Sequence, residues 1–357
     1  MKINLVNPKN LKKEHFSLFN ILNPYRAEIS KVKKFKNVFV THDGLVLNKF
    51  FLYNRSGYNL TGYQDINFYF PYWKDTLEKF FVCKFGNSLH SETYCDSNFA
   101  IVHTKWFNYA FWMNDSIYRC ILLEENFHKK DYTILIPKSI YEQPFVKETI
   151  GVFDFQIKII NPDEHCFVTS LFFPQVREYS SSFHPKVINS IQKKLIPLAL
   201  EKTTVKNFPS KIYLTRKNRG VRSLLNEEEV EDFLSSLGFT ILSFEQISVW
   251  DQIVYMQNAK WLISNHGAGL TNCMFMKENT NVIEFLEYDL AHYGNPFPYW
   301  KLANSAKLNY YYLFGVSEET QFIRFVNNCF TTSKKRMTMV NRQIKIDIME
   351  LKKVLNG

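Results

Sequence analysis

From residue 211 onward, short apolar runs alternate with stretches that place apolar side chains at helical spacing. Residues 211–215 (KIYLT) read as a strand. Residues 226–237 then carry Val230, Phe233, Leu234 and Leu237 on one helical stripe. Asn226 is placed to cap that helix, Glu229 follows three residues later as in a capping box, and Gly238 stops it. The beat continues with a strand at 239–242, a helix at 248–259 capped by Ser248, a strand at 261–264, a helix at 270–276 and a strand at 281–285. A helix at 298–307 and a strand at 309–313 complete the series. Strands alternating with helices of this length predict a parallel sheet covered on both faces. A last helix, 344–355, follows a basic loop and is free to pack on either half.

The first half is less regular. Residues 36–53 (KNVFVTHDGLVLNKFFLY) place two β-rich runs around Asp43-Gly44, the signature of a two-residue hairpin. Strands are predicted at 98–103, 132–137 (YTILIP) and 155–160 (FQIKII), with helices at 106–125 and 140–149. Around 172–183 (FFPQVREYSSSF) the pattern loosens, which suggests a boundary, and 185–202 is a long helix. The whole is an α/β chain of two domains, 1–180 and 181–330, with 331–357 as a basic loop and helix packing back on them.

Composition narrows the function classes. The chain has 357 residues and is 46% hydrophobic, and no apolar run reaches the roughly 20 residues of a membrane span. The start lacks the apolar core of a secretion signal, so a cytoplasmic location is expected. Six cysteines without CxxC spacing argue against a zinc site or a disulfide framework. The formal charge of +10 favours phosphate-rich partners: nucleotide substrates, an anionic membrane surface or nucleic acid. The basic clusters at 31–36 and 334–336 are not interleaved with aromatics at stacking spacing, which leaves nucleic acid the weakest of the three.

Candidate chemistry gathers at strand ends, where ligands of open α/β sheets bind. Between the strand at 261–264 and the helix after it stands Asn265-His266-Gly267-Ala268-Gly269. Small residues at a strand-to-helix turn let the backbone approach an anion, and the free N–H groups there attract phosphate oxygens. Arg216 follows the first strand of the series, with Lys217, Arg219 and Arg222 in the same loop. Guanidinium groups suit bidentate phosphate contacts, although solvated basic loops share this composition. His266 either contacts phosphate or caps the helix after it. Glu284 sits near a strand end, where a carboxylate accepts hydrogen bonds from ribose hydroxyls. The chain has no Asp-x-Asp, GxGxxG or GxxxxGK[ST], against metal-holding, dinucleotide and P-loop readings.

The order of these residues resembles glycosyltransferase family 61. The residues that carry it are Arg216, Arg222 with Asn226-Glu227, Gly238-Phe239, Gln252, Ala259, the turn His266-Gly267-Ala268-Gly269-Leu270-Thr271-Asn272, Phe275 and Glu284. Earlier in the chain, Asn108-Tyr109-Ala110-Phe111-Trp112-Met113-Asn114-Asp115, with Arg119, resembles the family's Asn-Tyr-x-His-Trp-x-x-Glu/Asp signature. Phe111 stands where the family usually has His, so no role of that His is carried over. The resemblance implies a GT-B-like fold of two Rossmann-like domains with parallel sheets facing an interdomain cleft. It implies an inverting transfer from a UDP-sugar without an obligatory metal or other cofactor. The acceptor would be a cell-surface glycan or a lipid-linked precursor of capsule, O-antigen or lipooligosaccharide, met at the inner face of the cytoplasmic membrane. On this reading Arg216, Arg222, Gln252, Glu284 and the turn 266–272 bind the donor. Asp115 is the base, with His103 in reserve, and Asn108, Tyr109 and Trp112 serve the acceptor. A binding protein that kept the cleft and lost the chemistry is the alternative.

Overall fold

The computed structural model describes residues 1–20, 22–57, 66–85, 91–161, 164–177, 181–217, 222–288, 297–317 and 343–356, with the backbone alone at 66–69 and 91–97. The chain divides into two compact units, one of Ala27–Lys194 and one that joins Met1–Arg26 to Leu195–Gly357. This differs from a division at residue 180. The boundary falls inside the helix Pro185–Lys202, and the first 26 residues belong with the C-terminal half.

Two short strands, β1 (Lys2–Ile3) and β2 (Tyr25–Arg26), pair antiparallel at the start of the chain. The Ala27–Lys194 unit is built on β3 (Val32–Val40), β4 (Val46–Asn48), β5 (Phe51–Leu52), β6 (Ser91–Ala100), β7 (Thr133–Pro137), β8 (Gln156–Ile160) and β9 (His165–Pro174). Their order is β5-β4-β3-β9-β6-β7-β8. The pairs from β9 to β8 are parallel and those from β5 to β9 antiparallel. The sheet is therefore mixed, where the family resemblance implies parallel sheets and residues 36–53 predict a hairpin. The difference comes from the β3–β4 hairpin, which turns through residues 41–45 and not through Asp43-Gly44 alone. Thr41 closes this turn: its N–H donates to Leu45 O, its hydroxyl accepts from Leu45 N–H, and Gly44 takes φ +87°.

The loosened stretch near 172 conceals the end of a central strand. β9 pairs with β3 on one side and β6 on the other, and Cys166, Val168, Leu171 and Phe173 enter the core. A strand covered on both faces loses the alternation by which strands are read. The helical run 109–126 is buried from Trp112 through Leu123, polar residues included. It contains a π-turn at Trp112–Ser116, where Ile117 N–H donates to Trp112 O.

Arg119 on this run is fully buried. Its guanidinium donates to the carbonyls of Ile101, Val102, His103 and Pro174 at 2.8–3.0 Å and lies 5.0 Å from the Phe173 ring. It thus ties the chain beyond β6 to the end of its parallel neighbour β9.

The second unit holds five parallel strands: β10 (Lys211–Leu214), β11 (Thr240–Leu242), β12 (Trp261–Asn265), β13 (Asn281–Glu287) and β14 (Asn309–Gly315). Their order, β11-β10-β12-β13-β14, is the doubly wound arrangement 2-1-3-4-5. Helices Glu227–Ser236, Val249–Asn258 and Pro298–Ser305 make three of the crossovers. The fourth, expected as an α-helix from Leu270, is the 3-10 helix Ala268–Phe275. Ser248 caps its helix by accepting from Asp251 N–H, and Gly238 stops the previous helix at φ +79°. Asn226 does not cap with its side chain. That amide bonds Ile346 through both its ends, which fixes the segment before the last helix, Ile348–Asn356. Leu237, expected on the apolar stripe, is exposed.

The edge strand β14 explains why the first 26 residues belong here. Lys9 N–H donates to Tyr310 O, and the Asn10 amide bonds both Tyr312 N–H and Tyr312 O. An exposed strand edge invites intermolecular pairing, and the N-terminal segment covers this one. Phe19 completes the contact by stacking on Phe297 at 4.2 Å.

Among the described residues no helix is long and apolar enough to cross a membrane. Cys83, Cys120, Cys166 and Cys273 are buried free thiols; the side chain of Cys95 and all of Cys329 lie outside the described residues.

Arg119→Ala leaves four main-chain oxygens without this donor in a dry interior. It is expected to lower the urea-unfolding free energy by about 3 kcal/mol or more. Arg119→Lys, which cannot reach all four, should recover only part of that.

Candidate active site

In a 2-1-3-4-5 sheet, the first and third strands send their connections in opposite directions and open a crevice at their carboxyl ends. Those strands are β10 and β12, which pair from Lys211–Trp261 to Leu214–Ser264. Arg216 follows β10, and His266 to Gly269 follow β12. The topology thus brings together the two stretches that the sequence singles out.

Gly267 shows how closely they meet. A side chain added there would put Cβ 2.1 Å from Nη1 and 2.9 Å from Cζ of Arg216. Gly267 is extended, with φ 169°, so its backbone does not require glycine. The space does: the Arg216 guanidinium lies where Cβ would be. His266 N–H donates to Phe285 O and Leu270 N–H to Gly267 O. Between them, the N–H groups of Gly267, Ala268 and Gly269 meet no acceptor among the described residues. Three adjacent amides and a guanidinium therefore share one end of the crevice.

The loop after β10 is held by Glu227, a residue the sequence placed in the pattern without a task. Its carboxylate accepts from Tyr213 OH at 2.7 Å, Thr215 Oγ1 at 2.6 Å and Leu224 N–H at 3.1 Å. Its position as first residue of a helix also favours a negative charge. Arg222 in this loop takes φ +58°, a left-handed conformation that costs a non-glycine residue roughly 1–3 kcal/mol. The Asn265 amide donates to Arg222 O and helps to hold it. Burial pushes the Arg222 guanidinium below its ordinary value, and its Nε meets no acceptor among the described residues. Lys217 is exposed and bound to Glu228, and Arg219 lies outside the described residues.

Several expected donor contacts have other partners. Glu284 is not at a strand end but in the middle of β13, and it is 0% exposed. Its Oε1 lies 2.5 Å from His266 Nδ1, and its Oε2 accepts from Tyr310 OH at 2.6 Å. Both oxygens are occupied and shielded, so the ribose role does not fit it. The His266 side chain is 18% exposed and packs edge-on against Tyr299, with ring centroids 5.3 Å apart. Gln252 is buried. It donates to Phe244 O and Ile247 O and accepts from Asn272, which spends its amide on joining two helical segments. Leu270, Thr271 and Asn272 are likewise fully buried, so among residues 266–272 the surface is left to His266, Ala268 and Gly269.

The residues expected on the acceptor side all lie in the other unit. Trp112 is a core residue that donates to Thr149 Oγ1, which excludes it from stacking on a sugar. Asn108 caps the helix at Tyr109 by accepting from Phe111 N–H, and Tyr109 packs edge-on against Phe145. His103 is sealed beneath Gly44, and its Nε2 meets His42 O at 2.9 Å. Burial, reinforced by nearby Arg119, holds its imidazole down to about 3, so it stays neutral but closed to an acceptor. Asp115 is 3% exposed on the π-turn. It lines a chamber of about 10 Å³ with Asn114, Arg177, Ser182 and His184, and that volume admits a single water. Arg177 lies 3.9 Å from Asp115 Oδ1, while Oδ2 has no partner among the described residues.

The sheet order and the meeting of Arg216 with Gly267 at the switch point describe a doubly wound α/β unit. Residues 109–283 match the family model described as Glycosyltransferase 61, and the chain is a member of that family and a glycosyltransferase. The match takes in Tyr109, Asp115, Arg216, Arg222 and the turn 266–272, and ends one residue before Glu284. No curated protein matches the chain. Among the described residues, no three His, Cys, Asp or Glu side chains gather as a metal site would require.

Gly267→Ala should drive the Arg216 guanidinium from its place while leaving stability within about 0.5 kcal/mol. The affinity for inorganic pyrophosphate, by calorimetry, is expected to fall about tenfold or more.

Proposed function

We propose that this glycosyltransferase moves a sugar from a UDP-sugar to a hydroxyl of a cell-surface or lipid-linked glycan, with inversion. As in GT-B enzymes, the Met1–Arg26 and Leu195–Gly357 unit serves the donor and the Ala27–Lys194 unit the acceptor. The observation that carries the reading is the meeting of Arg216, Arg222, His266 and the amides of 267–269 at one switch point. In the transfer the acceptor oxygen bonds to the anomeric carbon. The bond from that carbon to the diphosphate breaks, and its electron pair leaves with the diphosphate. Charge grows on the phosphate oxygens, and fixed N–H donors and guanidinium groups stabilise it most where water is excluded. Cations of the chain supply this charge, so the reading calls for no metal or other cofactor.

Asp115 remains the proposed base, working at one remove. Asp115 lines a chamber of water size, its Oδ2 has no partner among the described residues, and a base acts through one water as well as directly. The surplus of positive charge suits a working position beside an anionic membrane carrying lipid-linked acceptors. One observation favours the alternative of a binding protein without turnover: Phe111 fills the position of the family's histidine and packs against the apolar core.

A thermal-shift panel of nucleotides and nucleotide sugars tests the reading. A ligand at a hundred times its dissociation constant stabilises by about 2.7 kcal/mol, so UDP and one UDP-sugar should raise the melting temperature. Arg216→Ala should remove that shift, and Asp115→Asn should keep it while losing transfer. Absence of a shift with every nucleoside diphosphate would overturn the donor assignment. A shift without transfer would favour the binding protein.

A further inference from the structure

The site contains a buried carboxylate that no step above uses. Glu284 projects from the middle of β13, in register with Ser264 of β12 and Tyr312 of β14. It meets no solvent and holds two partners, His266 Nδ1 and Tyr310 OH. A carboxylate only accepts hydrogen bonds, so Nδ1 carries a hydrogen and Tyr310 donates. Burial first and Glu284 second push the Tyr310 hydroxyl far up, so it stays a donor at any working pH. A neutral imidazole held in this way has a bare lone pair on Nε2. Phosphate oxygens are acceptors too, and two acceptors repel. His266 can meet a diphosphate only with a second hydrogen on Nε2, as imidazolium.

We propose that His266, Glu284 and Tyr310 form a proton-linked clamp, in which the donor's diphosphate binds together with one proton taken up at His266 Nε2. Glu284 is the positioning residue: it fixes the ring and balances the imidazolium, and Tyr310 fixes Glu284. The proposal rests on the donor reading above. The groups facing the ring are consistent with it. Among the described residues Glu284 is the one carboxylate at hydrogen-bond distance, Tyr299 from the helix Pro298–Ser305 presents its ring, and Cys273 of the 3-10 helix, near Glu284, is kept a neutral thiol by burial and by that carboxylate. Positive charge comes from Arg222, near Tyr299, and from Arg216 over Gly267. An arriving diphosphate brings negative charge to the ring, so the proton is expected to come with the ligand.

Calorimetry of UDP binding at pH 8, in two buffers of different ionisation enthalpy, counts the protons taken up. The wild type should take up close to one per nucleotide. His266→Gln, partly exposed and expected to fold, should bind about tenfold more weakly with no uptake. Glu284→Gln should also lose the uptake, and nitrogen NMR of the wild type gives an independent check should that variant not fold. The spectrum should show the Nδ1–H form in the free protein and a doubly protonated ring with UDP. UDP binding without proton uptake, or with uptake unchanged in His266→Gln, would overturn the clamp and leave the donor reading standing. No UDP binding to the wild type would overturn both.

Discussion

The guanidinium of Arg216 occupies the place that a side chain at position 267 would need. This single exclusion joins the ends of two strands lying 50 residues apart in the sequence, β10 and β12. It sets a cation beside a row of amides that meet no acceptor among the described residues. Amides at a turn attract any anion, and an arginine on a loop attracts any acid. Set against each other at a switch point, they suit the proposed oxyanion, which could take several short contacts at once. Glu227 holds one side of the arrangement and the Glu284–His266 pair the other, so charge at the surface rests on charge below it.

Both units treat buried charge in the same way. Arg119 is surrounded by four carbonyls, and Glu284 is closed by a histidine and a tyrosine. Desolvating such groups costs more than their attraction returns unless their hydrogen bonds are nearly all made. Their presence suggests positions fixed for a purpose other than stability. Asp115 departs from this pattern: one of its oxygens is unbonded among the described residues, and the residue lines a chamber with room for a water.

Much of the C-terminal unit was legible in the sequence because its strands and helices alternate and its caps are local. Ser248, Gly238 and the turn at 266–269 each act within a few residues of themselves. What was not legible depends on distant partners. β9 gave no alternation because both its faces are covered, and the place of residues 1–26 depended on Asn10 reaching Tyr312. By sequence Glu284 reads as a strand-end carboxylate, whereas Tyr310, from a neighbouring strand, occupies one of its oxygens. Pattern singles out Trp112 and Gln252, but it does not say which face of a buried helix a side chain takes. Chain order puts Arg216 just after β10, and only the fold lays it over Gly267.

A crystal structure of the protein with UDP measures directly where the diphosphate lies. A diphosphate oxygen is expected within hydrogen-bond distance of the amides of 267–269, with Arg216 still lying over Gly267 and bonded to the same group. A diphosphate bound elsewhere, or bound here with Arg216 turned away, would contradict it.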